Sequence, residues 1–173
     1  HFSRASLQFE NNDGRLVFGR QRISLGTARV WNPSDRFNPT SPFWVNGIQK
    51  TGIDALFVER FYGSFGALQL TAAPKNNSRG AIQKLSLRWR DTVGQADYSV
   101  LFGKIGDEIM YAGDVSANFL GGNIYFELNN GRPENADNYI QFSTGYETIL
   151  TSNFLASYIT VGIEYFRNMD ADG

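Results

Sequence analysis

The sequence predicts an all-β protein, an antiparallel up-and-down transmembrane β-barrel with about ten strands present, and three observations carry that expectation. Apolar and polar residues alternate with period two, the signature of strands with one oily and one polar face. The alternating segments run to about 9–11 residues, the length a tilted strand needs to cross a bilayer. The connections between them are alternately short and mostly longer, the pattern of an up-and-down meander in which one end carries turns and the other loops. No segment shows a helical period.

The strands can be justified in order. Ala5, Leu7 and Phe9 oppose Arg4, Ser6, Gln8 and Glu10; Leu68, Leu70 and Ala72 oppose Gln69 and Thr71. The clearest case spans residues 83–90, where Leu85, Leu87 and Trp89 share one face and Lys84, Ser86, Arg88 and Arg90 the other. Ala96, Tyr98, Val100 and Phe102 oppose Asp97 and Ser99, and Ile124, Phe126 and Leu128 oppose Asn123, Tyr125 and Glu127. Ile140, Phe142, Thr144 and Tyr146 oppose Gln141, Ser143 and Glu147; Leu155, Ile159, Val161, Ile163 and Tyr165 oppose Tyr158, Thr160, Gly162 and Glu164. Alternation is blurred over residues 15–25 and 53–62, the latter holding Leu56, Phe57 and Val58 in a row.

Short connections fall at 11–14, 63–66, 91–95, 118–122 and 149–153, and most hold the Gly, Asn or Asp that hairpin turns require. The others fall at 26–51, 75–81, 104–107 and 129–137. Outer-membrane barrels have short periplasmic turns and longer external loops, so the first turn reads as periplasmic and both chain ends as external. Complete barrels keep both ends in the periplasm, so the chain is expected to be an interior fragment of a barrel of roughly twelve or more strands. Residues 1–173 read as a single barrel segment with one long loop at 26–51.

The bulk composition narrows the function classes. A formal charge of −1 gives no basic excess for nucleic acid. Without cysteine there is neither a disulfide framework nor a thiolate metal site. Apolar runs are far shorter than the roughly 20 residues of a membrane helix. Twelve of the 16 basic residues are Arg, whereas a soluble barrel normally covers its outer wall with mixed Lys and Glu. Aromatics make up 14% of the chain, in keeping with interfacial girdles.

Residues 19–43 are the most distinctive stretch. A strand ends at Gly26 and gives way to a segment in which Pro33, Pro39 and Pro42 forbid a continuing strand. A connection this long is functional or disordered, and Trp31, Phe37, Phe43 and Trp44 argue against disorder. Gly19, Arg20, Gln21, Gly26, Trp31, Asn32, Pro33, Asp35, Phe37, Asn38 and Pro39 form a Gly-Arg-Gln strand followed by a Trp-Asn-Pro-x-Asp-x-Phe-Asn-Pro loop. In this the chain resembles proteobacterial porin-like outer-membrane barrels, over about a seventh of its length by motif. Leu25 stands where such motifs often carry Trp. The resemblance implies passive transport across the outer membrane, with the loop folded into the lumen as a constriction.

Charged side chains on such a loop set ion selectivity through field and size. Asp35 and Arg36 sit centrally in it with Arg29 nearby, while Arg20, Arg22, Lys84, Arg88 and Arg90 are candidates for a cationic strip on the wall. Opposed acidic and basic groups would impose a transverse field on passing solutes, and a net cationic lumen would favour anions. The plainer reading is that Arg29, Asp35 and Arg36 pair with one another to hold the loop's shape, and that the wall arginines form a solvated face. Trp31, Asn32, Pro33, Phe37, Asn38 and Pro39 are the candidates for structuring the loop.

Nothing points to catalysis. The single histidine is His1, so a Ser-His-Asp site has no credible base. Asp107, Glu108 and Asp114 are the densest acidic group, which reads as solvated charge rather than a Ca²⁺ site. No phosphate-binding glycine loop is present. The expectation is therefore a cofactor-free outer-membrane channel for small hydrophilic or amphiphilic solutes, with lipid and solutes as its partners; a homo-oligomer is compatible with it. The alternatives are an outer-membrane anchor whose external loops bind a ligand, and a soluble all-β barrel with an apolar pocket.

Overall fold

The computed structural model describes residues 5–38, 52–74, 82–152 and 157–170. They form ten strands: β1 (Ala5–Asn11), β2 (Gly14–Gln21), β3 (Ile53–Tyr62), β4 (Gly66–Pro74), β5 (Ile82–Val93), β6 (Ala96–Ile105), β7 (Glu108–Phe119), β8 (Gly122–Pro133), β9 (Tyr139–Ser152) and β10 (Ser157–Asp170). Each pairs antiparallel with its sequence neighbour in one sheet of order β1 to β10. The sheet is open, with β1 and β10 as its edges. Strand lengths run from 7 to 14 residues, a wider spread than the sequence period implies.

The described connections alternate as expected except at β6–β7, which a two-residue turn joins at the loop end. At one end β1–β2, β5–β6 and β7–β8 are joined by tight turns, the first held by Asn11, whose Oδ1 accepts from the backbone N–H groups of Asp13 and Gly14 at 3.0 and 2.9 Å. Asn at such a position substitutes its side chain for a backbone acceptor. At the other end lie the long connection between β2 and β3, and that between β8 and β9.

Register turns the period of two into two chemically distinct faces. One row crosses seven strands as Phe9, Leu16, Val58, Leu70, Leu87, Phe102 and Tyr111. This apolar face is uncovered: Leu87 is 44% exposed, Trp89 39%, Phe126 41% and Val161 47%. Its aromatics contact one another across strands, with ring centroids 5.3 Å apart for Trp89–Tyr98 and Phe102–Tyr111 and 5.7 Å for Phe142–Tyr165. Cross-strand aromatic pairs of this kind stabilise a sheet locally.

On the opposite face a row runs Arg15, Glu59, Gln69, Arg88, Leu101, Ala112, Asn129, Gln141, Asn168 from β2 to β10. Here the buried residues are Ser, Thr, Asn, Asp and Glu beside apolar ones that range from Ala to Phe57, Leu101 and Met110. The protein's apolar core lies on this side and is small: Ile23, Leu25 and Phe37 from the segment after β2 pack with Val17, Ala55, Phe57, Ala73, Leu101, Met110 and Ala112 from the strands. That packing explains the blurred alternation over 15–25 and 53–62. Val17 and Phe57 are apolar on the polar face because a docked segment covers them, while Leu16 and Leu56 are apolar on the uncovered face.

Candidate functional site

The segment 22–38 lies on the polar face, held by main-chain groups that a strand or helix would otherwise satisfy. Glu127 of β8 is its deepest anchor. Its Oε2 accepts from Thr27 N at 2.8 Å and Ala28 N at 2.9 Å, and its Oε1 from Ser34 N at 2.7 Å. The side chain is fully buried, and a carboxylate without water is tolerable only with such charge-assisted bonds. Gly26 makes the approach possible: its φ is +80°, and a Cβ there would land on the Glu127 carboxylate.

A second carboxylate repeats the arrangement one turn further along. Glu164 of β10 accepts from Arg29 N and Val30 N through Oε2, at 2.9 and 3.1 Å, and from Trp31 N through Oε1 at 2.6 Å. Tyr125 of β8 donates its hydroxyl to the same group at 2.6 Å. Its ring reaches two strands away because Gly145 stands between Tyr125 and Glu164 in the register; a side chain at Gly145 would strike the tyrosine. Arg29 then pairs with Glu147 at 2.6 Å, and Trp31 stacks on Phe166 at 5.3 Å.

The remaining loop residues close a compact turn. Asn32 Oδ1 accepts from Asp35 N at 2.9 Å, and Asp35 Oδ1 accepts from Asn38 N at 3.3 Å. Pro33 sits inside this turn, where a missing N–H costs nothing. Phe37 is buried in the small core, and Asn38 donates its amide to the carbonyl of Ile23. Arg36 pairs with Glu108 at 2.7 Å, which also accepts from the Tyr139 hydroxyl. Lys84 donates to the carbonyls of Arg36 and Phe37 at 2.9 and 3.0 Å and lies over the Phe37 ring. Pro39 lies outside the described residues.

The cationic candidates separate into groups. Arg90 and Arg15 both pair with the buried Glu59, at 3.0 and 2.9 Å, and Gln69 donates to it at 2.6 Å. Arg88 donates to Ser99 Oγ at 2.8 Å and pairs with Asp114 at 3.3 Å. Arg20, by the two-residue period, is on the face of Leu16 and Phe18, and bonds Asp54 through Nε and a terminal nitrogen at 3.0 and 2.9 Å. Arg22 is exposed and enters no ion pair among the described residues. Of the five residues considered for one strip, β5 places Lys84, Arg88 and Arg90 on the polar face, Lys84 as an anchor of the segment; Arg20 stands apart.

Arg29 and Arg36 each bind a carboxylate of the wall, so the loop is held from outside. The sequence reading missed the acceptors. Glu127, Glu147 and Glu164 read as ordinary polar-face residues, Glu108 as solvated charge beside Asp107 and Asp114, and Glu59 lies in a stretch of blurred alternation; the available signal was a long-side-chain acid on a strand otherwise rich in Ser, Asn and Gly. Among the described residues no group of three His, Cys, Asp or Glu side chains is placed to hold a metal ion; Glu108 and Asp114 are engaged by arginines. Cavities that open on the polar face include one of about 430 Å³ beside Arg15, Arg20, Arg22 and Arg88 and one of about 340 Å³ beside Trp31 and Phe166.

No protein-family model, curated protein or solved structure matches the chain.

Proposed function

We propose that the chain forms part of the wall of an outer-membrane porin-type channel, which lets small hydrophilic or amphiphilic solutes diffuse passively through a water-filled lumen. One observation carries this reading: the uncovered face bears a continuous row of aliphatic and aromatic side chains, most of them exposed, while the buried acids Glu59, Asp114 and Glu127, with Arg15, Arg88 and Arg90, are on the face that receives the docked segment. A soluble barrel would turn the oily face inward. In a bilayer the uncovered face meets hydrocarbon and the polar face meets water.

The same physics bears on the edges. An unpaired strand edge in hydrocarbon leaves each N–H and C=O without a partner, at several kcal/mol apiece. Strands beyond β1 and β10 are therefore required for closure, in an even-numbered barrel of roughly twelve strands or more. Segment 22–38 then lies inside the lumen as a constriction, between the Arg15–Arg90 group on one side and Glu147 and Glu164 on the other.

The experiment is conductance of the intact protein in planar bilayers. Stable ohmic steps support the channel. A membrane-inserted protein that carries no current would favour a filled barrel acting as an anchor, a reading that the docking of segment 22–38 through Glu127 and Glu164 independently supports. A protein that stays monomeric in water without detergent would overturn both.

A further inference from the structure

We propose that Trp31, Phe166, Gln141 and Asn168 form a subsite for an uncharged, hydroxyl-rich ring solute, that is, a neutral sugar; the inference rests on the channel reading for the route by which the solute arrives. The cavity they line measures about 340 Å³, within the range of about 300–1,000 Å³ usual for small-molecule sites. One wall is the Trp31–Phe166 stack, with rings inclined by only 18°. The other is an amide pair: Asn168 and Gln141 are direct cross-strand partners on β10 and β9, and neither side chain makes a hydrogen bond among the described residues. The row continues inward to Asn129 on β8.

Each carboxamide offers two donors and an acceptor, which matches a sugar hydroxyl that both gives and takes a hydrogen bond. The flat C–H face of a pyranose suits an aromatic wall, where apolar area is removed from water without desolvating its hydroxyls. Both charged side chains that border the cavity have partners of their own. Arg36 is paired with Glu108, and Asp35 is turned into its own turn against Asn38 N. The cavity on the other half of the face is lined instead by Arg15, Arg20, Arg22 and Arg88, of which Arg22 enters no ion pair among the described residues.

The probe is cellobiose, with sorbitol as an acyclic polyol and nicotinamide as an uncharged aromatic ring, followed by saturation-transfer NMR on the intact protein in detergent micelles. Cellobiose should receive saturation more strongly than sorbitol. The double variant Gln141→Ala/Asn168→Ala, which leaves the anchors at Glu127 and Glu164 in place, should weaken cellobiose binding about fivefold or more, since two hydrogen bonds are lost. Absence of transfer to cellobiose, equal transfer in wild type and variant, or transfer to nicotinamide alone overturns the proposal. Bilayer conductance is read separately. Cellobiose binding without current sustains the subsite and defeats the channel, and current without cellobiose binding does the reverse.

Discussion

The two halves of the polar face use charge in opposite ways. From β7 to β10 the wall offers Glu108, Glu127, Glu147 and Glu164, and every one of them accepts from segment 22–38. From β2 to β5 it offers Arg15, Arg88 and Arg90, and these pair within the wall with Glu59 and Asp114. The segment offers main-chain N–H donors to Glu127 and Glu164 and the guanidinium groups of Arg36 and Arg29 to Glu108 and Glu147, so carboxylates can hold it. An arginine cannot accept a hydrogen bond, so it leaves the backbone amides alone and seeks an acid on the sheet. The segment consequently leans on the acidic half, and the arginines are left partly open to solvent. Lys84 is the exception, being able to reach two carbonyls.

The largest expected effect breaks the acidic half at its centre. Glu127→Ala leaves the N–H groups of Thr27, Ala28 and Ser34 without their acceptor. At roughly 1–3 kcal/mol for each buried donor left unmet, the segment should detach, a loss of about 3 kcal/mol or more in docking. Limited trypsin digestion of the folded protein should then cut after Arg29 or Arg36 at least tenfold faster than in wild type. In bilayers the single-channel conductance should rise. Unchanged protection would show that Glu164 and Lys84 suffice, and that the anchor has been placed on the wrong residue.

Gly26→Ala tests the same clamp from the segment's side. A non-glycine residue at φ +80° costs about 1–2 kcal/mol in backbone strain alone, and its Cβ meets the Glu127 carboxylate. Tryptic protection should fall, by less than in Glu127→Ala because Glu164 still binds Arg29, Val30 and Trp31. A variant as protected as wild type would contradict the close approach of Gly26 to Glu127.

Strand count, alternation and the division into two faces were legible because a period of two is a local property. Leu85, Leu87 and Trp89 declare a shared face with no knowledge of any other strand. What docks on a face is not local. Thr27 and Glu127 are separated by 100 residues, and the acid looks the same in sequence whether it meets water or a buried amide. The motif residues signalled that the loop is ordered, and Asn32, Asp35, Phe37 and Asn38 do build its turn. They gave no hint of which strands receive it. Arg20 shows the limit of parity: its position groups it with Leu16 and Phe18, yet it also borders the cavity beside Arg15, Arg22 and Arg88.

Glu59→Gln addresses the cationic half with a smaller effect. The substitution keeps an acceptor for Gln69 but removes the charge that Arg15 and Arg90 share. One unit charge at about 8 Å in water is worth about 0.5 kcal/mol, so the anion-to-cation permeability ratio should rise about twofold. Reversal potentials in a KCl gradient measure it, and the shift should shrink at high salt because the groups are partly exposed. An unchanged reversal potential would mean that Arg15 and Arg90 do not face the conducting path.

The smallest effect is expected of Arg20→Ala, and its smallness is what makes it informative. Arg20 and Asp54 bond bidentately on the apolar face, one residue before β2 ends at Gln21. In the proposed channel a charged pair near the end of a strand would lie at the level of lipid headgroups, where its cost is small, and exposed pairs contribute little to stability. Ion selectivity and thermal unfolding should both match wild type within error, while Glu59→Gln moves selectivity. Were Arg20→Ala to alter the reversal potential as much as Glu59→Gln, the guanidinium would have to face the lumen, and the assignment of even-numbered β2 residues to the lipid side would fail along with it.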